Sequence, residues 1–218
     1  RLAKHPGLTM AVDLEGHQLG AHGKTSLIQI AVDSNAPDEQ QLVYVFDMLA
    51  CDACLRDLSS DLRAVLEDSD VLKIFHCCYG DAAALFHEFG VVLQGVFDTG
   101  IADCLARSQH PQKARRLDRV LSYWLGDEVV LNFKGQVQHE PGLWLIRPVT
   151  QRLFVYSYED VKYCNRLATA LRIQLQSLGL WDLMLTLSQQ RVPPRGLPLT
   201  HALYAPPVTA TIALMDSS

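Results

Sequence analysis

The sequence predicts an α/β domain: a mixed β-sheet, three antiparallel strands followed by two parallel ones, flanked by helices. Three observations carry this. Strand-like runs come first, and short strands then alternate with helical patterns. At 49% hydrophobic and 20% charged residues, the 218-residue chain has enough apolar content to bury a core that offsets its ordering entropy.

Leu8–Leu14, Thr25–Val32 and Gln41–Phe46 read as the three opening strands, separated by the Gly and Pro/Asp punctuation of antiparallel hairpins. Asp57–Glu67 sets Leu58, Leu62, Val65 and Leu66 at helical spacing, and Val71–Phe75 is a short strand of buried type. Asp81–Phe89 is a helix closed by Gly90. A strand at Gly95–Asp98 leads into a helix at Thr99–Arg107. Leu117, Val120, Leu121, Trp124 and Leu125 mark another helix, ended by Gly126, and Thr150–Leu178 carries the longest helical pattern. Half of the 10 prolines lie beyond residue 190, which divides the chain into a domain over 1–190 and a proline-rich tail over 191–218.

Several classes fall away. No run approaches the ~18 consecutive apolar residues of a membrane helix, and the opening residues lack the apolar stretch of a signal peptide. A net charge of −5 argues against a protein that holds nucleic acid through a blanket of positive charge, so phosphate contacts must be local. The 6 cysteines read as reduced thiols of an intracellular, reducing compartment, because a chain of this size needs no disulfides. Cys51 and Cys54 form a CxxC with no second pair to complete a zinc site.

Chemistry concentrates at four acids and a tyrosine. Asp13 and Glu15 lie two apart on the first strand, so their side chains emerge on one face. Beside Met10, Ala11 and Val12 such a pair needs a cation or donors to neutralise it, unless the strand end is simply solvated. Asp81 opens a helix after the strand ending at His76, where it delivers a carboxylate to the sheet edge or caps the helix. Tyr156 and Asp160 share a helix face one turn apart, as a joint site or as a surface pair. Together the four acids offer the hard oxygen ligands that two divalent cations about 4 Å apart require. In that arrangement Tyr156 would hold the attacking water at a phosphodiester.

The segments VDLEG, HCCYGDAAALFHEFG with GVFDTGIADCLA, and WLIRPVTQRLFVYSYEDVKYC resemble, in order, the three motifs of the RNase D-like DEDDy 3′-5′ exonucleases. The third is the most specific, matching at Trp144, Arg147, Pro148, Thr150, Leu153, Tyr156, Asp160, Val161 and Tyr163. The resemblance implies an RNase H-like fold, Asp13, Glu15, Asp81 and Asp160 as ligands of two Mg²⁺ or Mn²⁺ ions, and Tyr156 as the water-orienting catalytic residue. It also implies release of nucleoside 5′-monophosphates from a 3′ end. Gly16 stands where RNase D carries a bulkier residue, and the stretch from Gly16 to Lys24 is more similar to Egalitarian-type exonuclease-domain proteins, some of which lack catalysis. The helical nucleic-acid-binding domains of bacterial RNase D have no counterpart here, so affinity must come from this domain, its flanks or a partner.

Leu14, Gly16 and His17, beside the first acids, are the expected contacts to the terminal nucleotide, with Gln18 and Lys24 close in sequence. Lys113, Arg115, Arg116 and Arg119 form a basic cluster, either a phosphate-gripping patch or a solvated helix start. Lys134 resembles a family lysine near the substrate backbone. Asp98 reads as a helix cap, His76 as a satisfied core histidine, and Trp144 as core. The expected activity is 3′-5′ hydrolysis of single-stranded RNA. A DNA exonuclease and a catalytically silent RNA-binding or scaffold module are the competing readings.

Overall fold

A computed structural model describes residues 8–33, 42–126, 129 and 142–193. Lys134 and the tail from residue 194 lie outside the described residues, as does Gln41 of the expected third strand.

Five strands form one sheet: β1 (Thr9–His17), β2 (Lys24–Val32), β3 (Val43–Asp47), β4 (Leu72–Phe75) and β5 (Val96–Asp98). The order is β3-β2-β1-β4-β5. β1 pairs antiparallel with β2 and parallel with β4, β3 joins β2 antiparallel, and β5 joins β4 parallel. That is the expected mixed sheet of three antiparallel and two parallel strands. The helices are α1 (Ala53–Arg56), α2 (Asp61–Leu66), α3 (Tyr79–Phe89), α4 (Thr99–Ala106), α5 (Leu117–Leu125), α6 (Gln151–Lys162), α7 (Cys164–Ser177) and α8 (Trp181–Gln189). Among the described residues no helix is long and apolar enough to cross a membrane. All six cysteines are free.

Strand alternation divides the core between the two faces of the sheet. Met10, Val12 and Leu14 of β1 pack with Ala82, Leu85 and Phe89 of α3 and with Leu55 and Leu66 of α1 and α2. On the opposite face, Ala11, Ala31, Ile74 and Phe97 pack with residues of α4, α5, α7 and α8. A third cluster joins Leu27 of β2 to Trp144 and to Leu153 and Tyr156 of α6.

Several elements differ from the sequence expectation for local reasons. β1 runs on to His17, with a register shift between Glu15 and Gly16, so Glu15 lies within the strand instead of at its end. The helix expected from Asp57 begins at Asp61, because the Ser60 hydroxyl accepts the Arg63 amide and the Asp57 carboxylate accepts Ser59 N–H. Leu58, placed on the apolar face by spacing, is 80% exposed. The long pattern over Thr150–Leu178 breaks at Tyr163 into α6 and α7, where the Cys164 thiol donates to the Asp160 carbonyl at 3.1 Å. α8 has no counterpart in the sequence reading; it starts after Gly179, at φ +68°, and packs on β5.

Candidate active site

Asp13 and Glu15 stand on the β1 face that also carries Ala11, under α6. The register places Gln29 of β2 across from Asp13 and Leu27 across from Glu15. α6 crosses β1, β2 and β3, bringing Asp160 down onto the two strand acids. Ligand oxygens of Asp13, Glu15 and Asp160 all lie within 4.8 Å of one another. Asp160 is buried and the two strand acids are half-buried.

Asp81 arrives from the other face of the sheet. Its helix begins two residues earlier than expected, with Cys78 at the cap position, so Asp81 sits in the first turn and does not cap the helix. β4 ends at Phe75 while β1 continues, and the Asp81 carboxylate accepts the backbone N–H of Leu14. That hydrogen bond ties it to the stretch between Asp13 and Glu15, outside the close group of three. Burial pushes the Asp81 carboxyl up to about 7, with the Asp98 charge adding to the rise against two backbone hydrogen bonds.

The loop that launches α3 is fixed by Asp98. This fully buried carboxylate caps α4 through Gly100 N at 2.8 Å, and also accepts Cys77 N at 2.9 Å and Cys78 N at 3.1 Å. Cys77 takes a left-handed φ of +62°, and a Cβ on Gly100 would meet its sulfur at 2.7 Å. Asp98 therefore acts as the expected cap and, in addition, aims the turn that carries Asp81. His76 makes ring contacts at 2.8 Å to Thr99 Oγ1 and 2.9 Å to the Arg115 carbonyl, consistent with a core histidine.

Tyr156 is buried, its ring 5.8 Å from that of Trp144. Trp144 is positioned by Arg147, which donates to the Trp144 carbonyl at 2.9 Å, to Ser26 Oγ at 2.9 Å and to both Asp47 oxygens at 2.7 Å. The Thr150 hydroxyl then caps α6 by accepting Leu153 N. This clamp sets where α6 enters, and so where Tyr156 and Asp160 lie. Trp144 is core, as expected; the clamp itself depends on contacts between residues far apart in sequence.

The expected substrate contacts separate by their surroundings. Gly16 is dictated by the hairpin: a Cβ there would meet the Lys24 carbonyl at 2.2 Å, a clash with backbone that cannot yield. His17 ends β1 beside it, paired with Lys24 in register, while Leu14 is buried in the core. Lys24 pairs with Glu88 at 2.5 Å, and Glu88 also accepts Thr25 N at 2.7 Å. Nothing in the sequence singled out Glu88. Arg115 is spent on Asp103, at 2.5 and 3.1 Å, and stacks 4.6 Å above the Tyr123 ring. Lys113, Arg116 and Arg119 are exposed, with Arg116 3.3 Å from Asp118.

Paired carboxylates on the central strand of a mixed sheet, met by a third from a helix across it, define a nuclease-type RNase H-like domain. The family model described as 3′-5′ exonuclease matches residues 1–176, and the chain belongs to that family. Human piRNA biogenesis protein EXD1 is 29% identical over 178 residues, covering 77% of this chain and 33% of that protein, so the chain spans about a third of its length. Among solved structures, NrnC of Brucella melitensis has a TM-score of 0.66 at 26% identity, covering 84% of this chain and 81% of the other. NrnC is also known with bound Mg²⁺ and bound to pGG. The catalytic core of RRP6 from Trypanosoma brucei shares the fold, with a TM-score of 0.67 at 22% identity over 84% of this chain and 45% of the other.

Proposed function

We propose that the chain is a metal-dependent 3′-5′ exoribonuclease, hydrolysing phosphodiester bonds from the 3′ end of single-stranded RNA and releasing nucleoside 5′-monophosphates. The observation that carries this reading is the gathering of Asp13, Glu15 and Asp160 within 4.8 Å, from β1 and from the far end of α6. Three carboxylates so close repel one another unless cations neutralise them, and an all-oxygen set suits Mg²⁺ or Mn²⁺. Asp81, tied to β1 at Leu14, supplies the fourth carboxylate. Bound there, two divalent ions would polarise the scissile phosphate and lower the pKa of water. The Mg²⁺-bound NrnC neighbour supports the choice of ion, and its complex with pGG supports a nucleotide substrate.

The chain's own residues do the rest. Tyr156, one turn before Asp160 and held by Trp144 and Leu153, orients the attacking water with its hydroxyl. Gly16 and His17 line the entry for the terminal nucleotide, and the buried Leu14 backs them from the core. Exposed Lys113 and Arg116 contact phosphates further along the strand, while Arg115 holds their segment in place through Asp103. Lys134, outside the described residues, is the remaining proposed contact to the substrate backbone.

The test is end-labelled RNA incubated with Mg²⁺ or Mn²⁺, beside a matched DNA strand. Single-nucleotide laddering of RNA, lost in Asp13→Asn and Asp160→Asn, is the expected outcome. Faster laddering of DNA would reassign the substrate. Intact strands under both metals, with RNA binding that survives both substitutions, would make this a silent RNA-binding module.

A further inference from the structure

Gln29 is fully buried in β2, yet neither its amide nitrogen nor its amide oxygen has a hydrogen-bond partner among the described residues. A buried amide left unpaired costs about 1–3 kcal/mol, so an apolar residue of the same shape would serve a purely structural role better. The position explains the choice. In the antiparallel register Gln29 faces Asp13 directly, and opposed residues of such a pair share a sheet face with Cβ atoms about 5 Å apart. On its other side Gln29 pairs with Val45, which offers nothing polar. Above it lies α6, the helix of Tyr156 and Asp160. Two residues along β2, Asn165 donates to the Ala31 carbonyl at 2.9 Å and leaves its own Oδ1 buried and unpaired. A primary amide has two N–H donors. Neither is used among the described residues, so both remain available to Asp13, across the ladder.

We infer that Gln29 is a positioning residue for the acid cluster: its amide, unpaired among the described residues and facing Asp13 across the ladder, is placed to donate to the Asp13 carboxylate when divalent ions bind there, fixing it in the orientation that accepts them. The inference rests on the proposed role of Asp13. Carboxylate ligands depend on such outer hydrogen bonds, and removing one commonly costs 10–100-fold in metal affinity.

The test measures Mn²⁺ binding directly, by the loss of the free-ion paramagnetic resonance signal, in wild type, Gln29→Met and Asp13→Asn, alongside thermal unfolding without metal. Methionine keeps the length and unbranched shape of glutamine and donates nothing. Gln29→Met is expected to unfold at the wild-type temperature or above, while its Mn²⁺ affinity falls 10–100-fold. Should it fail to fold, Gln29→Asn keeps an amide in the layer but withdraws it by one methylene, and the same loss is expected. Affinity within twofold of wild type in either folded variant overturns the inference. Loss of metal-free stability with unchanged affinity overturns it too, by making Gln29 structural. If Asp13→Asn itself leaves Mn²⁺ binding intact, the proposed metal site fails, whatever Gln29 does.

Discussion

Asp103 and the Asp13 cluster are both carboxylates within one sheet-and-helix core, and they are treated in opposite ways. Asp103 is fully buried and saturated: Arg107 reaches it at 2.7 and 3.0 Å, Arg115 at 2.5 and 3.1 Å, and Trp124 Nε1 at 2.9 Å. Burial would raise its pKa, but these hydrogen bonds prevail and hold it below the usual carboxylate range. Asp13, Glu15 and Asp160 instead crowd against one another, and Asp81 beside them is pushed up to about 7 by burial. An acid matched to its own cations is part of the architecture. Acids brought from separate elements to within 4.8 Å of one another offer a set of ligand oxygens to something that comes from outside.

The largest effects should separate the two regions by what is lost. Asp160→Asn is expected to cut exonuclease rate by at least about 10³-fold, as loss of a metal ligand removes several kcal/mol of charge stabilisation, with unfolding temperature unchanged or raised. Asp103→Asn should do the reverse, costing about 3 kcal/mol in denaturant unfolding because two guanidinium partners lose their counter-charge. Activity lost with stability in both variants would erase the distinction.

Tyr156→Phe sharpens it further. Turnover should fall about 10²-fold, since only the group that positions water is removed, while Mn²⁺ affinity stays at the wild-type value. Equal loss of affinity would place Tyr156 among the ligands.

The pH dependence has a definite sign. Between about 4 and 7 the unfolded chain releases the Asp81 proton while the folded, metal-free chain keeps it, so this group lowers stability as pH rises through that window. Divalent ions must displace that proton, so Mn²⁺ affinity should climb with pH up to about 7 and level off above. Unfolding curves and ion titrations across pH 4–8 would check both, and Asp81→Asn should flatten both.

The smallest effect concerns the basic segment. Lys113→Ala with Arg116→Ala should raise KM and reduce the salt slope of binding by about one to two, leaving kcat unchanged. Arg115→Ala should lower stability more than it alters the salt slope, because its charge belongs to Asp103.

Much of this was legible in the sequence, for identifiable reasons. Alternation put Asp13 and Glu15 on one face, and helical spacing put Tyr156 one turn from Asp160; both follow from backbone periods alone. α5 matched at both ends, closed by Gly126 at φ +74°. What escaped depends on partners distant in the chain. Arg115 looked available until Asp103 claimed it, Leu58 fitted a helix that Ser60 delayed, and Gln29 in an apolar strand carried no signal without its register to Asp13. Gly16, a departure from RNase D in sequence, is explained once the Lys24 carbonyl is seen against it.

The central claim is that four acids from β1, α3 and α6 hold divalent ions where a nucleotide terminus is cut. The most direct measurement is crystallographic: Mn²⁺ soaked into the protein and located by anomalous scattering. Two peaks bridged by Asp13 and bounded by Glu15, Asp81 and Asp160 are predicted. Ions bound elsewhere, or none at the acids under saturating Mn²⁺, would contradict it.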